Sequence, residues 1–332
     1  MSLRSLIAMC VVVTACGGTG SSTDVPSSID TAGTAATSLP ATSSTSATTP
    51  VTTTTGPTLP DPPPFGAGET VCDLYASAEQ IGQVRDTGLI EISGIAASRT
   101  HEGVVWAVND SGDGPIIYAI EEGETISKVT LNGVFPIDWE DLDIGPGPDG
   151  LDQLYVGDVG DNLGFRPWVS IFRLAEPDPT ASPDIAATAD ELELVYPDVD
   201  SIDAEAVAVD PVTGDIIVIP KSRSEVGVYR AASGDLEDRV TMERIGTLDL
   251  GAEITSAAFS PSGDRLVLRG YKTIWAWSRS SLDLTDVVAA TPCQTDSAVE
   301  RQGEAITVRS DNGLVTISEG GRPPVNLVPA EG

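Results

Sequence analysis

From Glu69 onward the chain alternates short apolar runs with turn residues: VVWAVND, IIYAI, QLYVGDVG, SIFRL, AVAVD, DIIVIPK, RLVLRGY, TIWAW and LVTIS. These runs alternate with period two or are continuously apolar over a few residues. They are rich in β-branched and aromatic side chains, which predicts strands. No segment of comparable length keeps a 3.6-residue apolar period, so the pattern predicts a domain that is nearly all β.

A longer pattern overlies the strands. A small or acidic residue precedes an aliphatic pair, a hairpin turn follows, and a second strand ends in polar residues. Five copies occur: Ser93, Gly94, Ile95 to Asn109, Asp110; Glu140, Asp141, Leu142 to Asp161, Asn162; Glu205, Ala206, Val207 to Lys221, Ser222; Ser256, Ala257, Ala258 to Arg269, Gly270; and Glu304, Ala305, Ile306 to Glu319, Gly320. Successive copies begin about 46, 65, 51 and 48 residues apart, a spacing that suits four-stranded propeller blades. About 28 residues follow Glu304 and about 22 separate Cys72 from Gly94, together one further period. The expected fold is therefore a β-propeller of five blades, closed by an N-terminal strand that completes the last blade. The long second interval leaves room for a sixth blade, and a β-sandwich of similar hairpins is the alternative architecture. The signature residues of WD40 and kelch repeats are absent.

The first residues have a different character. Arg4 followed by the small and apolar stretch Ser5 to Ala15 reads as an export signal, too short to span a bilayer as a helix. Val13, Thr14, Ala15 and Cys16 resemble the lipobox of bacterial lipoproteins, which implies a signal peptide over 1–15 and a lipid on Cys16; an ordinary secretory signal is the alternative, and it too leads outside the cytoplasm. Residues 17 to about 68 contain no Lys or Arg, a single aromatic (Phe65), and runs such as TSSTSATTPVTTTTGPTLPDPPP. Such a segment cannot bury enough apolar surface to offset its ordering entropy, so 16–68 is expected to be a solvated tether. The propeller then occupies 69–332, an extracytoplasmic monomer held to the membrane only through its anchor.

Charge narrows the partners. The whole chain carries a formal charge of -32, and all but three of its 50 acidic residues lie in 69–332. Such a domain repels a phosphate backbone or an anionic membrane surface and favours cations. Beyond the signal and Cys16, only Cys72 and Cys293 remain. An even pair in an oxidising compartment predicts one disulfide, worth roughly 4 to 5 kcal/mol in the chain-entropy model for a loop of this length. With two thiols and one His in the chain, a Cys/His zinc site has no ligand set.

In a propeller blade the first strand lines the channel and the second returns antiparallel, so the start of one and the end of the other share a face. That face is expected to collect Glu140, Asp141, Glu205 and Glu304 from strand starts, and Asp110, Asp158, Asp161, Asn162 and Glu319 from strand ends. Lys221 and Arg269 end two apolar strands there and are candidates for holding an anionic ligand group. Hard oxygen donors around a wide cavity suit Ca²⁺. The metal candidates are Asp110, Glu140, Asp141, Asp161, Asn162, Glu205 and Glu304; Glu140, Glu205 and Glu304 are also the candidate bases. Asp113 and Asp149 read as turn formers in NDSGDG and GPGPDG. The single His, His101, falls in the turn at the opposite end of its blade, which excludes a Ser-His-Asp triad on the acidic face. Trp106, Trp275 and Trp277 alternate within strands and read as blade packing, and Trp139, between acids in DWED, is the aromatic least clearly of the core.

The set EISGIAAS with VVWAVNDSGD, DWEDLDIG, LYVGDVGDN, DAEAVAVDP, LVLRGY and QGEAITV resembles a family of uncharacterised secreted bacterial propeller proteins, itself similar to SdiA-regulated and esterase-like phytase propeller domains. The resemblance covers roughly 90–320. It implies a propeller, an extracytoplasmic location and calcium, and through the phytase relation a metal-dependent phosphoester hydrolysis. The acidic positions Asp110, Glu140, Asp141, Asp161, Glu205 and Glu304 match; the several Lys and Arg that phosphate-rich substrates require do not. Two functions follow as expectations: a calcium-stabilised module that binds a small ligand or a partner loop in its acidic mouth, and a metal-dependent ester hydrolase.

Overall fold

The computed structural model describes residues 57–60, 67–110, 112–236 and 239–331. The expected signal peptide over 1–15, the lipidated Cys16 and nearly all of the 16–68 tether lie outside the described residues. Among the described residues no helix is long and apolar enough to cross a membrane.

Five sheets, each led by an inner strand, form a five-bladed propeller. In blade 1 the hydrogen-bonded order is Ile92–Ala97, Val104–Asn109, Ile116–Glu121 and Glu124–Leu131. In blade 2 it is Trp139–Pro146, Asp152–Asp158, Val169–Ala175 and Asp190–Val195. Blade 3 consists of Ala204–Val209, Ile216–Pro220, Val226–Ala231 and Glu243–Leu248, and blade 4 of Ser256–Phe259, Arg265–Arg269, Thr273–Ser278 and Cys293–Asp296. Blade 5 takes Gly303–Val308, Leu314–Ser318 and Pro324–Val328 from the C-terminal end and Glu79–Gln83, antiparallel to Pro324–Val328, from the N-terminal end. The ring thus closes as the arithmetic of the repeat predicts. Among the described residues there is no sixth blade: the long interval in blade 2 is spent on Asp184–Ala187, which adds in parallel to the outer edge of blade 1.

That addition is one case of a rule. In each of blades 2 to 5 the segment that leads into the fourth strand covers the outer edge of the blade before it. Asp184–Ala187 covers blade 1, and Arg239–Thr241, also parallel, covers blade 2. The α-helix Leu284–Ala289 lies against the outer strand of blade 3, and the 3₁₀ turn Val71–Leu74 against that of blade 4. An exposed strand edge is a template for unwanted pairing, and each cover either shields one or replaces it with a strand of only three or four residues. The helix escapes a periodicity reading because it has only six residues. Its signals are local: Asp283 accepts from Thr285 N, and Leu284, Val287 and Val288 are buried.

The Cys72–Cys293 disulfide, with Cα atoms 5.9 Å apart, takes its sense from the same rule. It fastens the segment leading to the closing strand onto the outer strand of blade 4. The bridge therefore joins blades 4 and 5 at the one place where the chain's two ends are interleaved.

Between successive blades lie five apolar clusters, one for each seam. Trp106 and Trp139 pack in the seam of blades 1 and 2, and Trp275 and Trp277 in that of blades 3 and 4. Trp139 is thus a core residue, its ring 6.3 Å from that of Phe172. At the axis the inner strands come so close that a Cβ on Gly94 would lie 2.3 Å from Leu142 N.

Each inner strand has one edge with no strand beside it, and its N–H groups need acceptors in a water-poor place. Asp141 supplies four bonds alone. It accepts from Val207 N and Leu142 N (2.9 Å each), from Ala257 N at 3.2 Å and from Ser256 Oγ at 3.0 Å. Asp143 accepts from Val209 N at 2.7 Å. Hydroxyls complete the circle: Ser256 Oγ accepts from Ile306 N, Thr307 Oγ1 from Ala97 N, and Ser93 Oγ donates to Trp139 O.

Two predictions concern this frame. Asp141→Asn puts an amide NH₂ against backbone N–H donors and is expected to cost about 3 to 5 kcal/mol, read as a fall of roughly 10 °C in thermal midpoint; a fall of a degree or two would remove Asp141 from its central place. Cys72→Ser, or reduction, is expected to cost about 4 to 5 kcal/mol in chemical denaturation while leaving the far-ultraviolet circular dichroism of the native state unchanged.

Candidate functional site

Four of the five inner strands carry a β-bulge at their second residue. The pairing register shifts across Ser93, Glu140, Glu205 and Glu304, while blade 4 pairs without a break. A bulge turns one side chain out of the sheet's alternation, and here it turns that side chain into the mouth of the channel. The acid that opens the sequence repeat is thus the bulge residue. Blade 4, which lacks the bulge, contributes Thr255 instead.

Together these residues line a polar cavity of about 210 Å³ with Asp110, Asn162, Lys221, Gln302 and Glu319. The fold brings to one place Asp110, Glu140, Asn162, Glu205, Lys221, Glu304 and Glu319 of the residues expected there. Four others lie elsewhere, each because its own contacts claim it. Asp141 sits beneath the mouth with both oxygens filled by four donors, so no lone pair is left for a metal. Asp161 accepts from Phe165 N and Arg166 N and shapes the loop after the second strand of blade 2. Arg269 is fully buried, its guanidinium paired with Glu300 and donating to Ala305 O at 3.2 Å. It braces blade 4 against blade 5 and does not reach a ligand in the cavity. Asp158 likewise belongs to the frame: it pairs with Arg166 at 2.7 Å and accepts from Ile137 N and Asp138 N. His101 occupies the turn between the first two strands of blade 1, away from the mouth, as expected.

Sequence reading missed Thr255 and Gln302 of the lining, and also Asp138. Asp138 precedes the strand, and the only signal was the acid on the near side of Trp139 in DWED. One ligand oxygen each from Asp110, Asp138 and Glu140 lie within 4.8 Å of one another. Asn162 Nδ2 donates to Asp138 Oδ2 at 3.2 Å. Gly160 makes the arrangement fit: a Cβ there would stand 2.4 Å from Glu140 Oε1 and 2.5 Å from Asp138 Oδ2.

The electrostatics divide the cavity in two. On one side Glu140 is 5% exposed, and among the described residues no hydrogen-bond donor reaches it. Burial, with Glu205, Asp110 and Asp138 adding repulsion, pushes its carboxyl up to about 11. Asp110 is pushed up to about 6, by burial first and then by Asp138, Glu91 and Glu319, and its Oδ1 is buried without a partner. On the other side the acids have company. Lys221 Nζ donates to Glu205 Oε1 and lies 5.9 Å from the centre of the Tyr271 ring. Burial still carries Glu205 up to about 8 against the pull of Lys221. Gln302 Nε2 donates to Glu304 Oε1 at 2.9 Å and to Glu319 Oε2 at 2.7 Å, and Glu304, buried and beside Glu319, rises to about 7. One wall is thus a set of carboxylates without a counter-charge, and the other a hydrogen-bonded polar network.

No protein-family model matches the sequence, and no curated protein matches it. Solved structures similar to the chain include two described as glucose dehydrogenase, with TM-scores of 0.45 and 0.44, each 11% identical and covering 77% of this chain and 100% of its own. A likeness that loose transfers neither residues nor activity.

Proposed function

We propose that the chain is a binding propeller displayed outside the cell on its Ser/Thr/Pro tether, whose mouth holds a calcium ion between Asp110, Asp138 and Glu140. The observation that carries this reading is Glu140: a carboxylate 5% exposed, without a hydrogen-bond donor among the described residues, facing two other acids across a few ångströms. Buried charge of one sign requires protons or a cation. Three carboxylates with an amide nearby are hard oxygen donors, the set that calcium takes. Catalysis has less support. Phosphoester hydrolysis calls for cationic groups free to hold phosphate, and the lining cation Lys221 is already paired with Glu205.

Calcium is expected to raise the thermal midpoint of the purified protein saturably, by roughly 5 to 10 °C at a hundredfold excess over Kd, with magnesium much less effective. Glu140→Gln is expected to raise the midpoint in EDTA, because it removes a buried carboxyl that has to be kept protonated, and to abolish the calcium response. A calcium response that survives this substitution would displace the ion from the site. Calcium-dependent phosphoester turnover lost in Glu205→Ala would instead restore the hydrolase.

The sign of the pH dependence follows from the same groups. Asp110, Glu304, Glu205 and Glu140 all have raised values, at about 6, 7, 8 and 11. Each therefore contributes stability that is present below the ordinary carboxylate range and lost as pH rises through the raised value. In EDTA the midpoint is expected to fall from about pH 5 to about pH 8, and saturating calcium to flatten that fall. A midpoint that climbs over the same interval in EDTA contradicts the picture of a mouth kept whole by protons or a cation.

A further inference from the structure

The loops around the mouth are apolar to a degree that the rest of the surface is not. Of ten large apolar side chains exposed among the described residues, seven lie on segments that lead into an inner strand or out of a second strand, which is the mouth face. Four of them flank the acid triad: Phe135 and Ile137 on the loop entering blade 2, and Leu163 and Phe165 on the loop after its second strand. They are 83%, 62%, 82% and 65% exposed. Ile137, Leu163 and Phe165 line one shallow depression of about 270 Å³ with Asp138 and Asn162.

These loops are held, although their side chains are not. Asp158 accepts from Ile137 N and Asp138 N, and Asp161 from Phe165 N and Arg166 N. Arg166, 5% exposed, pairs with Asp158 and donates to Gly160 O at 2.7 Å. A fixed backbone that projects Ile137, Leu163 and Phe165 around one depression, with Phe135 on the same loop as Ile137, is a surface already ordered for contact, with little entropy left to lose on binding.

Charge selects among the occupants of such a patch. Six carboxylates surround the mouth: Asp110, Asp138, Glu140, Glu205, Glu304 and Glu319. Lys221 and one divalent ion leave half of them without a formal counter-charge. An anionic membrane and a second copy of a chain with a net charge of -32 are both repelled from this face, whereas a cationic segment is drawn to it.

We infer that the rim made by Phe135, Ile137, Leu163 and Phe165 is the docking face for a protein partner that presents apolar side chains next to a Lys or Arg. The apolar part covers the rim and the cation points at the neighbouring carboxylates. The inference deepens the binding reading of the mouth and does not require the ion.

The test pans a phage-displayed random-peptide library on the full chain, in calcium and in EDTA, with counter-selection on a Leu163→Ser/Phe165→Ser variant. Selected peptides are expected to place Lys or Arg beside apolar residues. As free peptides they are expected to lose about tenfold in affinity for that variant and for Phe135→Ser, and about as much when their basic residue is changed to Glu. The variants keep the wild-type thermal midpoint and calcium response, because the substituted side chains touch little; if the double variant does not fold, Phe135→Ser on the other loop carries the comparison. Absence of enriched peptides, or equal binding to wild type and folded variants, overturns the inference. So does rim-dependent binding to phosphatidylcholine or phosphatidylglycerol vesicles, or self-association in sedimentation that the variants abolish. Loss of the calcium response in Glu140→Gln bears on the ion alone, since peptide binding is also measured in EDTA.

Discussion

Everything in this propeller depends on how the free edges of five inner strands are satisfied where they converge. A strand at the axis has a neighbour on one side only, and the N–H groups of its other edge point where water is scarce. An unpaired buried N–H costs about 1–3 kcal/mol, so a ring of open edges would consume much of the stability of an ordinary domain. The chain solves this unequally. Blade 2 donates two carboxylates, and Asp141 alone reaches the backbone of blades 2, 3 and 4. The remaining seams use hydroxyls, which are weaker but smaller. Burial pushes the Asp141 carboxyl well above its usual range, opposed by the N–H groups of Val207, Leu142 and Ala257. The asymmetry explains why WEDLD is so acidic in a strand that packs a core.

The same strand divides labour by position. Trp139, Leu142 and Ile144 enter the seam with blade 1, Asp141 and Asp143 face the axis, and Glu140, released by the bulge, faces the mouth. A one-residue displacement separates a structural acid from an acid with no donor. The bulge is therefore what converts an element of the frame into an element of the site, and its recurrence in four blades makes the mouth a ring.

That displacement also sets the limit of what the sequence discloses. The repeat, its period and its closure are legible because each blade must spell out apolar strands and turns at a fixed interval. The acid before the aliphatic pair is legible for the same reason, and Glu140, Glu205 and Glu304 stand where that reading placed them. What cannot be read is which of two adjacent acids turns inward: Glu140 and Asp141 look alike in sequence and have opposite fates. Arg269 and Lys221 end equivalent strands, yet Glu300, in the loop between the outer strand of blade 4 and the inner strand of blade 5, encloses one, and Glu205 pairs with the other at the cavity wall. Asp161, Asp158 and Asp138 form a local network in which two hold backbone and the third is held. Such roles are fixed by partners distant in sequence, and a linear pattern carries no record of them.

The rigid frame and the charged mouth are two sides of one arrangement. Asp141, whose oxygens accept four bonds, Arg269, paired with Glu300, and Arg279, whose guanidinium forks onto both oxygens of Asp210 at 2.8 and 2.7 Å, place partnered polar groups in the interior and tie blade to blade. Against that background Glu140 and Asp110 stand out as groups that the frame brings together without satisfying. The fold gives most of its other buried charged groups a partner, yet leaves these two facing each other across a cavity. The apolar side chains of Phe135, Ile137, Leu163 and Phe165 follow the same logic on the surface: their loops are anchored by Asp158 and Asp161, but the side chains have nothing to cover them. Unsatisfied charge inside the mouth and uncovered apolar surface on its rim are adjacent, and a single ligand bearing both complements would relieve both at once.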